Sequence, residues 1–238
     1  MDASEISSVH GGSLYVVSTP LGNLGDLSPR ALECLKSVDI LLCEDTRVTG
    51  RLLSASGLEG RSLVSYRDET EQRDTPRWIE ALQDEQSLGL VADAGTPTVS
   101  DPGFRLIREC RKLGIPVVPV PGPSAAVTAL SVSGLPTDSF LFVGFLPPKK
   151  AARQRFFTEH ADDTWTLILY ESVHRISKLL DDLVAVLGSE RLICVARELT
   201  KKFETVHTGP ASTVRDQVNR GSLKGEFVVL VARQGFDL

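Results

Sequence analysis

Three strand-like runs end in acids beside cations. Glu44-Asp45-Thr46-Arg47 follows the apolar run Ile40 to Cys43, Glu171-Ser172-Val173-His174-Arg175 follows Trp165 to Tyr170, and Glu198-Leu199-Thr200-Lys201 follows Leu192 to Ala196. A carboxylate can take the proton of a hydroxyl nucleophile, and a neighbouring cation can lower that hydroxyl's pKa or hold a flanking phosphate. Glu44, Asp45, Glu171 and Glu198 are therefore candidate catalytic acids, and Arg47, Arg175 and Lys201 candidate catalytic cations. A pair of this kind taken alone reads first as a helix-end ion pair. Three in matching positions favour a shared site.

Three glycine- and proline-rich turns follow other strands: TPLGNLGD at Thr19 to Asp26, DAGTP at Asp93 to Pro97, and PGPSAA at Pro121 to Ala126. The carboxyl edge of an α/β sheet forms a crevice into which the N–H groups of following helices point, so three such turns suggest one ligand site. Asp93 can accept hydrogen bonds from local amides or from a ligand's ribose hydroxyls or ammonium group. Gly95 lets a ligand approach the backbone. Gly22 and Gly25 lack the third glycine of a dinucleotide fingerprint, which disfavours a dehydrogenase. Ser100 or Asp101, followed by Pro102, reads as the cap of a helix carrying Leu106, Ile107, Cys110 and Leu113 and ending at Gly114.

The elements that position these groups alternate strand and helix, the pattern of an α/β protein with mainly parallel sheets. Strands are expected at Leu14 to Ser18, Ile40 to Cys43, Leu63 to Tyr66, Leu88 to Ala92 and Val117 to Val120, and Ser28-Pro29 starts a helix. A break at Gly134 to Asp138 sets the expected organisation: a disordered tail over 1–12, an N-terminal α/β domain over 13–135 and a C-terminal α/β domain over 136–238. The second domain is expected to hold strands Phe140 to Phe145, Trp165 to Tyr170, Leu192 to Ala196 and Glu226 to Ala232. Its helices are expected at Lys150 to His160, Val173 to Leu187 and Ala211 to Arg220.

A chain of 238 residues with 42% hydrophobic residues can bury a substantial core. No apolar run approaches the roughly 20 residues of a membrane span, and the polar start MDASEISSVHGG lacks the features of a signal peptide, so a cytoplasmic location is expected. Cys34, Cys43, Cys110 and Cys194 are scattered, as are the four histidines, so the cysteines read as small buried apolar groups and no metal is expected. A net charge of −5 argues against broad nucleic-acid coating. Lys149, Lys150, Arg153 and Arg155 nevertheless form a local basic run that could grip an RNA backbone.

Taken in order, STPLGNLGDLSPRAL, CEDTRVTGRLL, VADAGTPTVSDPG, PVPGPSAAVTAL, LYESVHRI, ARELTKKFET and KGEFVVLV resemble the bacterial ribosomal RNA small-subunit methyltransferase I family, a branch of the tetrapyrrole-methylase superfamily. The likeness covers roughly 13–232 and rests on EDTR, DAGTP, PGPSA and YESxHR occurring together. The resemblance implies a homodimer whose two α/β domains hold S-adenosylmethionine in the cleft between them. It also implies 2'-O-methylation of a cytidine in the decoding region of 16S ribosomal RNA, with the RNA met within the small subunit. It puts cofactor contacts on Leu21, Asp93, Gly95, Thr96, Ser124 and Ala125, adds Tyr170, Leu199 and the Lys224-Gly225 turn, and sets EDTR and ELTK on the substrate side. Many relatives continue past GEFVVLV into a helical extension, whereas this sequence ends at Leu238, so RNA contacts are expected from the cleft, the basic run and the dimer partner. Two other functions stay open: methylation of a small precorrin-like tetrapyrrole, and non-catalytic S-adenosylmethionine binding in ribosome assembly.

Overall fold

The structure, a computed structural model, describes residues 9–238. Two compact units divide the chain, one ending at Ser124 and the other beginning at Ala125. In the first unit β1 (Leu14–Val17), β2 (Ile40–Cys43), β3 (Leu63–Ser65), β4 (Leu88–Val91) and β5 (Val117–Val120) form a sheet in the order β3-β2-β4-β1-β5, with every pairing parallel. Its helices are α1 (Pro29–Ser37), α2 (Thr46–Ala55), α3 (Asp68–Gln83) and α4 (Phe104–Lys112). Strand side chains alternate between faces. Tyr15, Val17, Leu41 and Cys43 pack with Ala31, Cys34 and Leu35 of α1, while Leu14, Leu42, Leu88 and Leu90 pack with Trp78 and Leu82 of α3 and Leu106 and Cys110 of α4. Because all strands run one way, their carboxyl ends and the loops that follow share one edge.

Helix starts follow from identifiable caps, with one correction. Ser28 Oγ accepts from Ala31 N at 3.0 Å ahead of Pro29, as expected for α1. The expected cap of α4 at Ser100-Asp101-Pro102 is not used. Ser100 has φ +67° and Gly103, the residue that precedes the helix, has φ +126°, whereas a capping side chain works from extended backbone. The buried Glu71 of α3 replaces it, its Oε1 accepting from Gly103 N at 3.0 Å and Arg105 N at 2.8 Å.

The second unit contains α5 (Ala125–Val132), β6 (Phe140–Phe145), α6 (Lys150–Glu159), β7 (Thr166–Ser172), α7 (Ile176–Leu187), β8 (Leu192–Arg197), β9 (Thr205–Pro210), α8 (Ala211–Arg220) and β10 (Glu226–Val231). Its sheet order is β6-β7-β10-β8-β9. The α/β class holds, but the parallel expectation applies here only to β6 with β7; the other three pairings are antiparallel. The tight turn between β8 and β9 permits nothing else, since a parallel return needs a long crossover. Leu167 and Leu169 of β7 face a core with Phe157, Leu179 and Val214, and Ile168 and Tyr170 face the opposite cluster with α5.

The unit boundary lies before α5, earlier than the expected break after Leu135. Ala126, Ala129 and Leu130 of α5 pack against Ile168, Cys194 and Val228, which ties the helix to the second sheet. Of the expected tail over 1–12, residues 1–8 lie outside the described residues. The last four are held: Val9 packs on the first-unit core, His10 N donates to Tyr15 Oη at 2.8 Å and Gly12 N to Gln86 O at 3.2 Å. All four cysteines are free and buried, and burial pushes the Cys34 and Cys110 thiols up to about 11. Among the described residues no helix is long and apolar enough to cross a membrane.

Candidate active site

At the carboxyl edge of the first sheet, the loops after β1, β4 and β5 bind one another. Thr19 N donates to Gly95 O at 2.9 Å and Gly95 N to Thr19 O at 3.1 Å, while Thr19 Oγ1 donates to Ala92 O at 3.1 Å. Thr96 Oγ1 donates to Pro123 O at 3.0 Å and lies 3.1 Å from Ser18 Oγ. With its one hydrogen directed at Pro123, Thr96 accepts from Ser18, so one hydroxyl joins three loops. Gly95 has φ +85°, and a Cβ there would lie 3.2 Å from Leu21 Cδ2 and 3.6 Å from Pro123 O. The glycine therefore keeps a hollow open beside Leu21 and the loop that ends at Ser124.

The loop after β2 joins this group through Asp93, whose Oδ1 accepts from Asp45 N at 3.1 Å. Asp45 caps α2 by accepting from Arg47 N at 2.8 Å, and its carboxylate also receives Arg47 Nε at 3.0 Å and Nη2 at 2.5 Å. The Arg47 side chain and then its amide hold the Asp45 carboxyl well below the usual range, which makes Asp45 a poor proton acceptor. Glu44 shifts the other way. Burial, then the charges of Asp93 and Asp68, raise its pKa against the opposing pull of Arg67. Its backbone is pinned where Glu44 O accepts from Ser65 Oγ at 3.2 Å and Arg67 Nε at 3.1 Å. Glu44, Asp45, Asp93, Arg67 and Asp68 line a cavity of about 280 Å³. An acid-walled cavity of this kind suits hydroxyl donors and cations.

In the second unit the ends of β7 and β8 meet the start of β10, with Glu226 opposite Ser172 and Phe227 opposite Arg197. Tyr170 faces α5. Its hydroxyl accepts from Ala126 N at 3.2 Å and its ring meets Phe142 and Phe145 edge-on, at centroid distances of 4.9 and 5.8 Å. Ala125 and Leu199 join the same cluster, so three of the expected cofactor residues come together. Gly225, with φ +116°, packs so closely on Glu198 that a Cβ would lie 2.5 Å from Glu198 Cγ. Glu198 Oε1 accepts from Glu226 N at 3.1 Å and Lys201 Nζ at 3.0 Å, and Lys201 also reaches Glu226 Oε2 at 2.8 Å. Burial alone would raise the Glu198 pKa, but the Lys201 and Glu226 hydrogen bonds together lower it; for Lys201 burial acts to lower the pKa, and the hydrogen bonds and charges of Glu226 and Glu198 outweigh it and raise it. These two candidates hold the Gly225 turn.

Glu171 is placed apart from Tyr170, because neighbouring strand residues point to opposite faces. Its fully buried carboxylate accepts from Ser172 N at 2.8 Å, and its other oxygen lies 3.1 Å from Arg175 Nη2 as an ion pair without a hydrogen bond. Arg175 Nη2 donates to Leu146 O at 2.6 Å, so the pair fastens the turn after β7 to the end of β6. The basic run is corrected too. Arg153 is buried, bonded to Asp182 Oδ2 at 3.0 and 2.6 Å and to Pro148 O at 2.6 Å, leaving Lys149, Lys150 and Arg155 exposed.

The model of the tetrapyrrole (corrin/porphyrin) methylases matches residues 13–215. Ribosomal RNA small subunit methyltransferase I of Escherichia coli O157:H7 is 48% identical over 224 residues, spanning 92% of this chain and 77% of the relative. The protein of that name in Xylella fastidiosa (strain Temecula1) is 51% identical over 222 residues, spanning 92% and 81%. The chain belongs to the ribosomal RNA small subunit methyltransferase I family. Two solved structures share its fold: uroporphyrin-III-C-methyltransferase from Thermus thermophilus, with TM-score 0.64 at 23% identity over 93% of this chain and 94% of that one, and a cobalt precorrin-4 methyltransferase, with TM-score 0.65 at 13% identity over 93% and 95%.

In this member of the methyltransferase I family, three positions carry positioning roles that no local pattern marks, Arg197 among them although it lies within ARELTKKFET. Glu71, Arg67 and Arg197 hold site loops by bonding to backbone groups of Gly103, Glu44 and Lys224. The partners lie 32, 23 and 27 residues away in sequence, so no local spacing marks them.

Proposed function

We propose that the chain transfers a methyl group from S-adenosylmethionine to the ribose 2'-hydroxyl of a cytidine in the decoding region of small-subunit ribosomal RNA. The observation that carries this reading is 48% and 51% identity, over 92% of the chain, to relatives named for ribosomal RNA methylation. The tetrapyrrole enzymes match in fold alone, and fold does not choose a substrate.

The residues present suit the cofactor. In the first unit the hollow at Gly95 beside Leu21, the carboxylate of Asp93 and the Thr96–Ser124 loops offer apolar contact, backbone groups and an acid for a cationic nucleoside. In the second unit Tyr170, Leu199 and Ala125 offer an apolar wall, and Gly225 a half-buried turn held against Glu198. When bound, S-adenosylmethionine supplies an electrophilic methyl carbon on a sulfonium. Glu44 is the proposed proton acceptor from the 2'-hydroxyl, because burial and neighbouring acids make its carboxylate more basic than usual. Arg47, 83% exposed and oriented by Asp45, is the proposed phosphate contact. Glu198 with Lys201, and Glu171 with Arg175, are assigned to holding turns. Alignment of nucleophile and methyl carbon by such fixed loops can supply as much as about 7–11 kcal/mol of barrier reduction.

Methyl incorporation into small subunits from a strain lacking the gene, with the labelled nucleotide mapped, tests the proposal. One 2'-O-methylcytidine is expected. Label confined to porphyrinoids would favour tetrapyrrole methylation, and no label at all a binding role in assembly. The resemblance also supports a homodimer, which light scattering checks.

A further inference from the structure

The turn after β8 holds a phenylalanine out in water. Phe203 is 64% exposed, yet its backbone is tightly bonded: Arg197 Nη1 donates to Phe203 O at 3.0 Å and Arg197 Nε to Lys224 O at 2.7 Å. Thr200 N donates to Glu204 Oε2 at 2.5 Å and Glu204 N to Lys201 O at 3.1 Å. Glu198 and Thr200 sit in the left-handed region at φ +51° and +67°, which non-glycine residues adopt at a cost. A ring that forgoes burial, on a turn that is both strained and pinned, is presented rather than merely left outside. Its surroundings are cationic and polar. Lys202 Nζ lies 5.6 Å from the ring centroid, and exposed Lys224 shares the Arg197 guanidinium with Phe203. A protein hot spot sits in a well-packed, desolvated pocket, and the exposed Lys202, Glu204 and Lys224 around this ring do not form one. An aromatic face flanked by cations matches an unstacked nucleobase and its phosphates.

We propose that Phe203, flanked by Lys202 and Lys224, is a stacking platform for one unstacked base of a single-stranded RNA segment, with the lysines holding adjacent phosphates. This rests on the RNA-methyltransferase reading above.

The test compares wild type with Phe203→Ala, Phe203→Trp and the double variant Lys202→Ala/Lys224→Ala, using oligocytidylate for binding and small subunits for methyl transfer. Phe203→Ala is expected to weaken oligocytidylate binding about tenfold, with an unchanged salt slope and unchanged S-adenosylmethionine affinity by calorimetry. Phe203→Trp is expected to restore binding, its emission quenched on adding RNA. The double lysine variant should lower the salt slope by about 1.4, two phosphates at about 0.7 each. Full RNA affinity and full methyl transfer in Phe203→Ala would overturn the platform while leaving the RNA reading intact. Loss of cofactor affinity, or of self-association in its place, would overturn it by assigning the ring to the cofactor or to a protein contact. A wild-type protein that neither binds nor labels RNA would overturn both readings.

Discussion

The two units fasten their loops in different ways. In the first, the loops after β1, β4 and β5 are joined by main-chain bonds and the hydroxyls of Ser18, Thr19 and Thr96. In the second, Glu171 with Arg175, Glu198 with Lys201 and Glu226, and Arg153 with Asp182 hold the turns and helices by charge. Strand direction contributes to the contrast, since an all-parallel sheet delivers successive loops to one edge, near enough for short neutral bonds. The consequence is chemical. The Glu44 loop is held through its backbone, by Arg67 and Ser65 at Glu44 O and by Asp93 at Asp45 N, which leaves the Glu44 carboxylate in an acid-walled cavity with a raised pKa, whereas charge fastening in the second unit engages the Glu171, Glu198 and Lys201 side chains in structure. Acid-and-cation motifs that look alike in sequence, EDTR and ELTK, thus serve different ends.

Four substitutions would break or sharpen this contrast. Glu44→Gln, at the proposed base, is expected to lower kcat by about 10²–10⁴-fold with cofactor binding kept. Because the Glu44 pKa is raised, the acid limb of kcat/KM should lie above the usual 4.5, with activity lost as pH falls through it, and the variant should lose that limb. Asp182→Ala leaves the buried Arg153 unpaired and is expected to destabilise the second unit by about 3–5 kcal/mol in urea unfolding, with methyl transfer per folded molecule retained. Gly95→Val forces a β-branched residue to φ +85° against Leu21. Strain of about 1–3 kcal/mol should appear in unfolding, with a disproportionate loss of cofactor affinity by calorimetry. Asp39→Asn, at the opposite edge of the first sheet, should show the smallest effect. Hydrogen bonds from Ser87 lower the Asp39 pKa, so its contribution is complete above 3.8 and lost as pH falls through the lowered value. The variant should flatten that acid-side loss in melting temperature and leave activity alone.

Much of this was legible in the sequence, and the exceptions have physical causes. Apolar runs bounded by turn residues marked all five strands of the first sheet and four of the second. The strand at Thr205–Pro210 carries little sequence signal, because only alternate residues of an edge strand are covered and its TVHTGP has little apolar content. The helix at Asp68–Gln83 is likewise weakly marked, being rich in charge and interrupted by Pro76. DAGTP and PGPSA point to loops that do meet, whereas the opposite facings of Tyr170 and Glu171 depend on β7 running on past Tyr170 to Ser172. Arg153 is indistinguishable by type and spacing from its exposed neighbours, because its partner Asp182 lies 29 residues on in another helix.

The carboxylate of Glu71 at the start of α4 bears on which ligands this edge admits. A helix amino terminus ordinarily attracts phosphate, and nucleotide cofactors are often held that way. Here the protein's own acid already occupies the amides of Gly103 and Arg105, at the end of the loop that carries Asp93. With Glu44, Asp45 and Asp93 nearby in the same unit, this side of the sheet is electrostatically inhospitable to a pyrophosphate and favourable to a molecule that brings positive charge. Under the proposed function, the fold would thereby sort nucleoside ligands by charge before shape is consulted.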